Sequence, residues 1–277
     1  VRFQYRPYNV KELSHPNQII IVVGLGSSGI GVARLLNYNQ KNVIVFERSS
    51  EEAFKNMAKT LEAEGIKVEL GKSLTFSSFQ PFIENLSKVV ISPGISWDNI
   101  TINQLRAKGI TITSEIAIAW ENLSKIPWIG VTGTNGKTTV THLLNHVLNN
   151  NNVSSRMGGN VGTAASELAL DFKKNPKQNP HWLVMELSSY QIESAPNISP
   201  KIGIWTTLTP DHLERHRSMK RYINIKRSLL DKSSIRIYNA DDNYLSANKA
   251  NLPLGKWIST KGPGDYSCPN SFWVSSE

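Results

Sequence analysis

The chain has 277 residues, 39% hydrophobic and 19% charged, which suits a globular protein with room for two domains of ordinary size. No apolar run approaches the roughly 20 residues that cross a bilayer, which excludes a membrane-spanning helix, and the polar, aromatic first residues do not resemble a signal peptide, so a cytoplasmic protein is expected. The formal net charge of +9 is scattered rather than gathered into the basic stripe of a nucleic-acid surface, and the single Cys268 rules out an internal disulfide framework or a cysteine-rich zinc site.

In chain order, Ile19-Ile20-Ile21-Val22-Val23 is a continuous apolar run, the pattern of a strand buried on both faces of a parallel sheet. It enters Gly24-Leu25-Gly26-Ser27-Ser28-Gly29, followed by apolar residues at helical spacing. A second strand, Val43 to Phe46, ends at Glu47, about where a ribose-binding carboxylate is expected. Alone, this GxGxxG pattern suggests NAD. The same geometry also holds any diphosphate over a helix N-terminus, or merely permits close strand–helix packing, and the pattern does not choose among these. Lys67 to Leu70 and Val89 to Ile91 read as further strands, with Ser92-Pro93-Gly94-Ile95 facing the crevice beyond the latter. The alternation of strands and helices implies a doubly wound sheet. The polar stretch Glu121 to Pro127 breaks the pattern, placing a domain boundary between residues 124 and 125.

The next apolar strand, Trp128 to Thr132, runs into Gly133-Thr134-Asn135-Gly136-Lys137-Thr138-Thr139 and a helix through about Leu148. Strand, glycine loop, lysine and hydroxyls form a site for the phosphates of a nucleoside triphosphate. Loop N–H groups approach the phosphate oxygens, Lys137 reaches the terminal phosphates, and Thr138 is placed to ligate Mg²⁺. The common G-x-x-x-x-G-K-[ST] pattern is broken by Val131. Asn149 to Asn152 reads as a turn, and Gly158-Gly159-Asn160-Val161-Gly162 as a third glycine loop, either a plain turn or a backbone approach with Asn160 as donor. The strand Trp182 to Met185 ends at Glu186, where a carboxylate can bind the same Mg²⁺. After the strand Ile202 to Thr206, Asp211-His212 again falls at a carboxyl end; a ligand of a second cation and an uninvolved loop histidine are equally open. Ile235 to Tyr238 reads as a strand and Asp241-Asp242 as a turn. Lys226 is an unmarked helix lysine.

With these motifs in order, the chain resembles the Mur ligase family of peptidoglycan biosynthesis from about Ile19 to Asp242. The likeness rests on Gly24 to Gly29, Ser92 to Ile95, Ser114-Glu115-Ile116, Gly130 to Thr139, Gly158 to Gly162, Glu186-Leu187-Ser188-Ser189-Tyr190-Gln191, Asp211 to His216 and Asn239 to Asp242. The altered glycine at Val131 matches the family's own form of the loop.

The resemblance implies an α/β protein: an N-terminal Rossmann-like domain (1–124) for a UDP-linked substrate, then a P-loop central domain (125–277). It implies ATP-dependent amide-bond formation through an acyl phosphate, with roles in cell wall biogenesis, cell shape and division. The first glycine loop and Glu186 to Gln191 favour the branch that adds D-glutamate to UDP-N-acetylmuramoyl-L-alanine. Under the resemblance, Gly133 to Thr139 hold ATP, with Lys137 on its phosphates. Thr138 and Glu186 bind a first Mg²⁺ and His212 a second, and Lys226 is carbamylated to an anionic metal ligand. Ser27, Ser28, Glu47, Arg48, Ser92, Gly94, Asn160 and His212 meet the UDP substrate. A monomer with small-molecule partners only is expected. The family's third, amino-acid-binding domain is absent, and the end after Phe272-Trp273-Val274 reads as a truncation, so this polypeptide alone is expected not to complete catalysis.

Overall fold

The computed structural model describes residues 18–261 and the short strand Phe272–Trp273; Cys268 and the first residues lie outside the described residues. The apolar run at the start becomes β1 (Ile19–Val23), nearly all of it buried. It is followed by α1 (Ser27–Tyr38), β2 (Asn42–Glu47), α2 (Glu52–Ala63), β3 (Lys67–Leu70), the short α3 (Phe76–Phe79), β4 (Leu86–Ile91), α4 (Ile100–Ala107), β5 (Thr111–Ser114) and α5 (Glu115–Leu123). All strand pairs are parallel and the order is β3-β2-β1-β4-β5. The order reverses direction between β1 and β4, so their carboxyl ends open the crevice where a doubly wound sheet takes a ligand.

The second sheet begins with β6 (Trp128–Thr132), all of it buried, then α6 (Lys137–Asn150), β7 (Ser155–Gly159), α7 (Ala165–Lys174), β8 (Trp182–Glu186), α8 (Ser189–Ser194) and β9 (Ile202–Trp205). It continues through α9 (Leu213–His216), α10 (Met219–Lys232), β10 (Ile235–Asn239), α11 (Asn243–Ala247), β11 (Lys256–Ser259) and β12 (Phe272–Trp273), in the order β12-β11-β10-β9-β6-β8-β7. β6 thus lies between β8 and β9, with Val131 opposite both Glu186 and Ile204. This register brings three carboxyl ends to one place.

Three local expectations are revised. The polar stretch from Glu121 begins inside α5, which runs to Leu123 because Ile116, Ala119 and Leu123 bury one helical face. Asn149 and Asn150 belong to the end of α6 rather than to a turn. Gly158 and Gly159 are not loop but the end of the edge strand β7. Crowding demands glycine there: a Cβ on Gly158 would lie 2.7 Å from Leu168 Cδ1, and one on Gly159 would strike the Glu186 carbonyl.

The two sheets share one core. A continuous cluster runs from Val22 and Val45 through Val32 and Leu35 of α1, Ile116 of α5, and Leu168 and Phe172 of α7 to Leu183, Trp205 and Tyr238. Close approach of α1 to α7 depends on Gly31, where a Cβ would meet Ser166 Oγ at 2.7 Å. Glu115, at the start of α5, is buried here and accepts from the Ser166 N–H in the first turn of α7 at 2.6 Å. Burial pushes its carboxyl above the usual range, opposed by the Ser166 hydrogen bonds.

Candidate active site

Glycine shapes the loop after β6. Gly133 and Gly136 have φ of +153° and +77°, values in the left-handed region, and Gly136 is the N-cap of α6. A glycine N-cap offers no side chain to the first N–H groups of α6, which are therefore presented to an anion together with the positive end of the helix. Lys137 folds back over the loop and donates to Thr134 O at 2.9 Å. The opposite wall comes from the residues after β9. Thr207 O accepts from the Thr134 N–H and Thr207 Oγ1 from the Asn135 N–H, while Thr206 Oγ1 donates to Asn135 O at 2.6 Å. Thr206 and Thr207 were not marked by the sequence. Their only signal is position at a strand's carboxyl end.

β8 delivers Glu186, 2% exposed, to the same place. Its Oε2 accepts from Thr138 Oγ1 at 2.7 Å and its Oε1 from Asn160 Nδ2 at 2.8 Å. Asn160 is held there because its N–H also donates to the Glu186 carbonyl, 2.9 Å away. Two residues from two other segments thus converge on the Glu186 carboxylate. A hydroxyl and a carboxylate oxygen side by side are hard donors that suit Mg²⁺.

α10 brings Lys226 in from beyond β9. The side chain is 1% exposed, and its amine donates to Gly133 O at 2.8 Å and Thr132 Oγ1 at 3.3 Å, 4.8 Å from the centre of the Tyr222 ring. Burial, aided by the Lys137 charge, pulls this amine from 10.5 down to about 7, against a smaller opposing pull from Asp211. Tyr222, on the same helix, shares a hydrogen bond with Thr134 Oγ1 at 3.1 Å, so α10 touches the loop twice.

His212 has φ of +52° and an exposed ring. It lies 3.4 Å from Asp211 Oδ2 and 3.8 Å from Glu214 Oε1, with its ring centre 5.0 Å from that of Tyr190. Among the described residues no hydrogen bond or ion pair joins it to Lys226, and no group of three or more His, Cys, Asp or Glu side chains could hold a metal ion. His216, four residues on, is buried; it pairs with Ser189 Oγ at 2.9 Å and stacks on Tyr222. Asp241 and Asp242 tie loops together. Asp241 accepts from Ser259 and Thr260, and Asp242 caps α11 through Leu245 and holds the Leu208 N–H.

In the first crevice, Glu47 does not stand free. Its Oε2 accepts from the Leu25 N–H at 2.8 Å and its Oε1 from the Ser49 N–H at 2.9 Å, which leaves the first turn of α1, at Ser27 and Ser28, as the anion-facing part of the loop. Arg48 is exposed beside it. Ser92 donates to Val23 O at 2.6 Å, joining the ends of β1 and β4, and Gly94 is exposed just beyond. The packing role of the glycines is also real, since a Cβ on Gly29 would collide with Gly24 O.

Comparison with known proteins follows the same division. Residues 18–114 match the MurD-like N-terminal domain of Mur ligases and residues 131–260 the Mur ligase middle domain. A UDP-N-acetylmuramoylalanine–D-glutamate ligase of Prochlorococcus marinus (strain SARG) is 57% identical over 267 residues, 96% of this chain and 57% of the relative. The protein of the same name from Synechococcus sp. (strain CC9605) is 52% identical, over 93% of this chain and 56% of its own length. The chain therefore spans a little over half the length of the curated relatives it matches. In fold it is similar to the UDP-N-acetylmuramate:L-alanyl-gamma-D-glutamyl-meso-diaminopimelate ligase from Neisseria meningitides, at a TM-score of 0.60 and 18% identity, over 87% of this chain and 77% of that one.

Proposed function

The chain belongs to the Mur ligase family, and from that premise we propose that the whole protein joins D-glutamate to UDP-N-acetylmuramoyl-L-alanine at the expense of ATP, in peptidoglycan synthesis. The names of its relatives support the choice within the family. The observation that carries the reading is the convergence of the glycine loop, Glu186 and the buried Lys226 at the carboxyl ends of β6, β8 and β9.

In this reading the Lys137 cation and the N–H groups of α6 hold the ATP phosphates. Thr138 and Glu186 would hold one Mg²⁺, and His212 with a carbamylated Lys226 would contribute to a second; such ions would neutralise charge developing on the phosphates. The substrate carboxylate attacks the γ-phosphorus and ADP leaves, forming an acyl phosphate. The amino group of D-glutamate then attacks the acyl carbon, phosphate departs, and one proton is released. An amine near 7 is largely neutral at physiological pH, which is the form that attacks CO₂: the N–C bond forms, the nitrogen loses one proton, and a neutral amine becomes an anionic carbamate. The crevice between β1 and β4 takes the uridine diphosphate, with Ser27, Ser28, Glu47, Arg48, Ser92 and Gly94 around it and Asn160 toward the muramoyl end. The division between the two sheets supports a boundary at residues 124–125, and soluble nucleotide substrates argue for a cytoplasmic reaction.

Calorimetric titration of the chain with UDP-N-acetylmuramoyl-L-alanine, and separately with NAD, tests this. Binding of the former and indifference to NAD are expected. Preference for NAD, or no binding of the UDP compound, would sink the proposal.

A further inference from the structure

The loop after β4 is gripped from the second sheet's side at two points. Arg215, in α9, donates through Nη2 to Ile95 O at 2.8 Å, with Nη1 3.5 Å from Gly94 O, and its guanidinium lies 4.7 Å from the centre of the Tyr190 ring. Arg221, in the first turn of α10, donates through Nη2 to Asp98 Oδ2 at 2.9 Å and to Glu193 Oε1 at 2.7 Å. The Glu193 side chain is only 9% exposed, so it orients the guanidinium from its own side and lets the bond to Asp98 form with little further ordering.

The placement of these arginines sets them apart from ordinary surface pairs. Both lie on the segment that also carries His212 and Lys226. One end of that segment touches the phosphate loop, through Lys226 on Gly133 O and Tyr222 on Thr134. The other end holds the loop 92–98, whose first residue, Ser92, is bonded to Val23 O at the mouth of the first glycine loop. α9 and α10, joined by the stacking of His216 on Tyr222, therefore span the two phosphate-binding turns.

We propose that Arg215 and Arg221 are positioning residues that couple occupancy of the first crevice to occupancy of the phosphate loop. This rests on the reading that a UDP-linked substrate enters that crevice. A ligand that orders loop 92–98 orders α9 and α10 through the two guanidinium groups, and so lowers the cost of ordering the phosphate loop for nucleotide. The effect is reciprocal, because it is a free energy shared between two sites. Arginines serving only as glue would lower stability without linking the sites.

The test uses this chain, with UDP-N-acetylmuramoyl-L-alanine and Mg·ADP titrated calorimetrically, each alone and with the other saturating. In the unaltered chain each ligand is expected to tighten the other by the same factor, about fivefold or more. In the Asp98→Ala/Arg215→Ala double variant, single-ligand affinities stay within about twofold while the mutual factor falls to about one. Asp98→Ala leaves Arg221 paired with Glu193, so no buried charge is orphaned. Either single variant alone lowers the factor, which keeps the test open if the double variant fails to fold. A mutual factor of one in the unaltered chain, or an undiminished factor in the variants, overturns the proposal. Failure of the UDP compound to bind the unaltered chain overturns the functional reading and the proposal together, whereas binding without coupling overturns the proposal alone.

Discussion

Replacing Lys226 with methionine probes the buried amine while nearly keeping its shape. An amine at about 7 in the folded chain and 10.5 when exposed binds fewer protons folded than unfolded throughout that interval. Stability therefore rises as pH climbs from about 7 to 10.5, by at most ~1.4 kcal/mol per pH unit from this group, and the penalty is fully present below about 7. The full displacement corresponds to about 5 kcal/mol. Methionine removes that penalty but also the hydrogen bonds to Gly133 O and Thr132 Oγ1, worth about 1 kcal/mol each. Lys226→Met should thus be about 3 kcal/mol more stable than the unaltered chain at pH 6 and less stable by pH 10. Urea unfolding followed by tryptophan fluorescence in CO₂-free buffer, at pH steps from 6 to 10, reads this directly. Parallel stability curves for the two proteins would refute the argument. The same neutral amine predicts a carbamate signal in ¹³C-bicarbonate at pH 7.4, where ~70% of this group is unprotonated against ~0.1% of an ordinary lysine, and no such signal in Lys226→Met.

Glu186→Gln leaves Thr138 and Asn160 a partner but removes the charge, so Mg·ATP affinity should fall about tenfold or more while Mg-free nucleotide binding changes little; equal losses for both would contradict a metal role. Glycines of the first loop should differ sharply: Gly29→Ala drives a Cβ into Gly24 O and should cost about 2 kcal/mol or more, whereas Gly26→Ala, with open space around it, should leave the melting temperature nearly unchanged. Glu115, with its carboxyl raised, weakens the fold as pH rises through the ordinary carboxylate range toward its own higher value, so Glu115→Gln should flatten that acid-side decline and stabilise the chain at neutral pH; a variant that melts lower at pH 7 would show the carboxylate to be needed.

Elements whose cause is local were legible in the chain. A run such as Ile19 to Val23, closed by a glycine turn, reads as a strand buried on both faces, and the glycines at 133 and 136 read as a loop whose backbone can come close to a ligand. Glu186 was legible for the same reason, as a carboxylate at the end of an apolar strand. Other features depended on partners far along the chain. Gly158 and Gly159 read as loop because what makes them strand is their pairing with Met185 and Glu186 of β8, and what makes them glycine is crowding from Leu168 and Glu186. Asn160 became a partner of Glu186 only when β7 lay beside β8. Lys226 looked like any helix lysine, since nothing in its own segment lowers its proton affinity; that is done by burial beneath β6 and by the charge of Lys137, 89 residues away in sequence. The same holds for Arg215 and Arg221, whose partners in loop 92–98 precede them by more than 100 residues. Periodicity and spacing report what a segment does to itself, whereas desolvation and cross-unit charge pairing are properties of the packed whole.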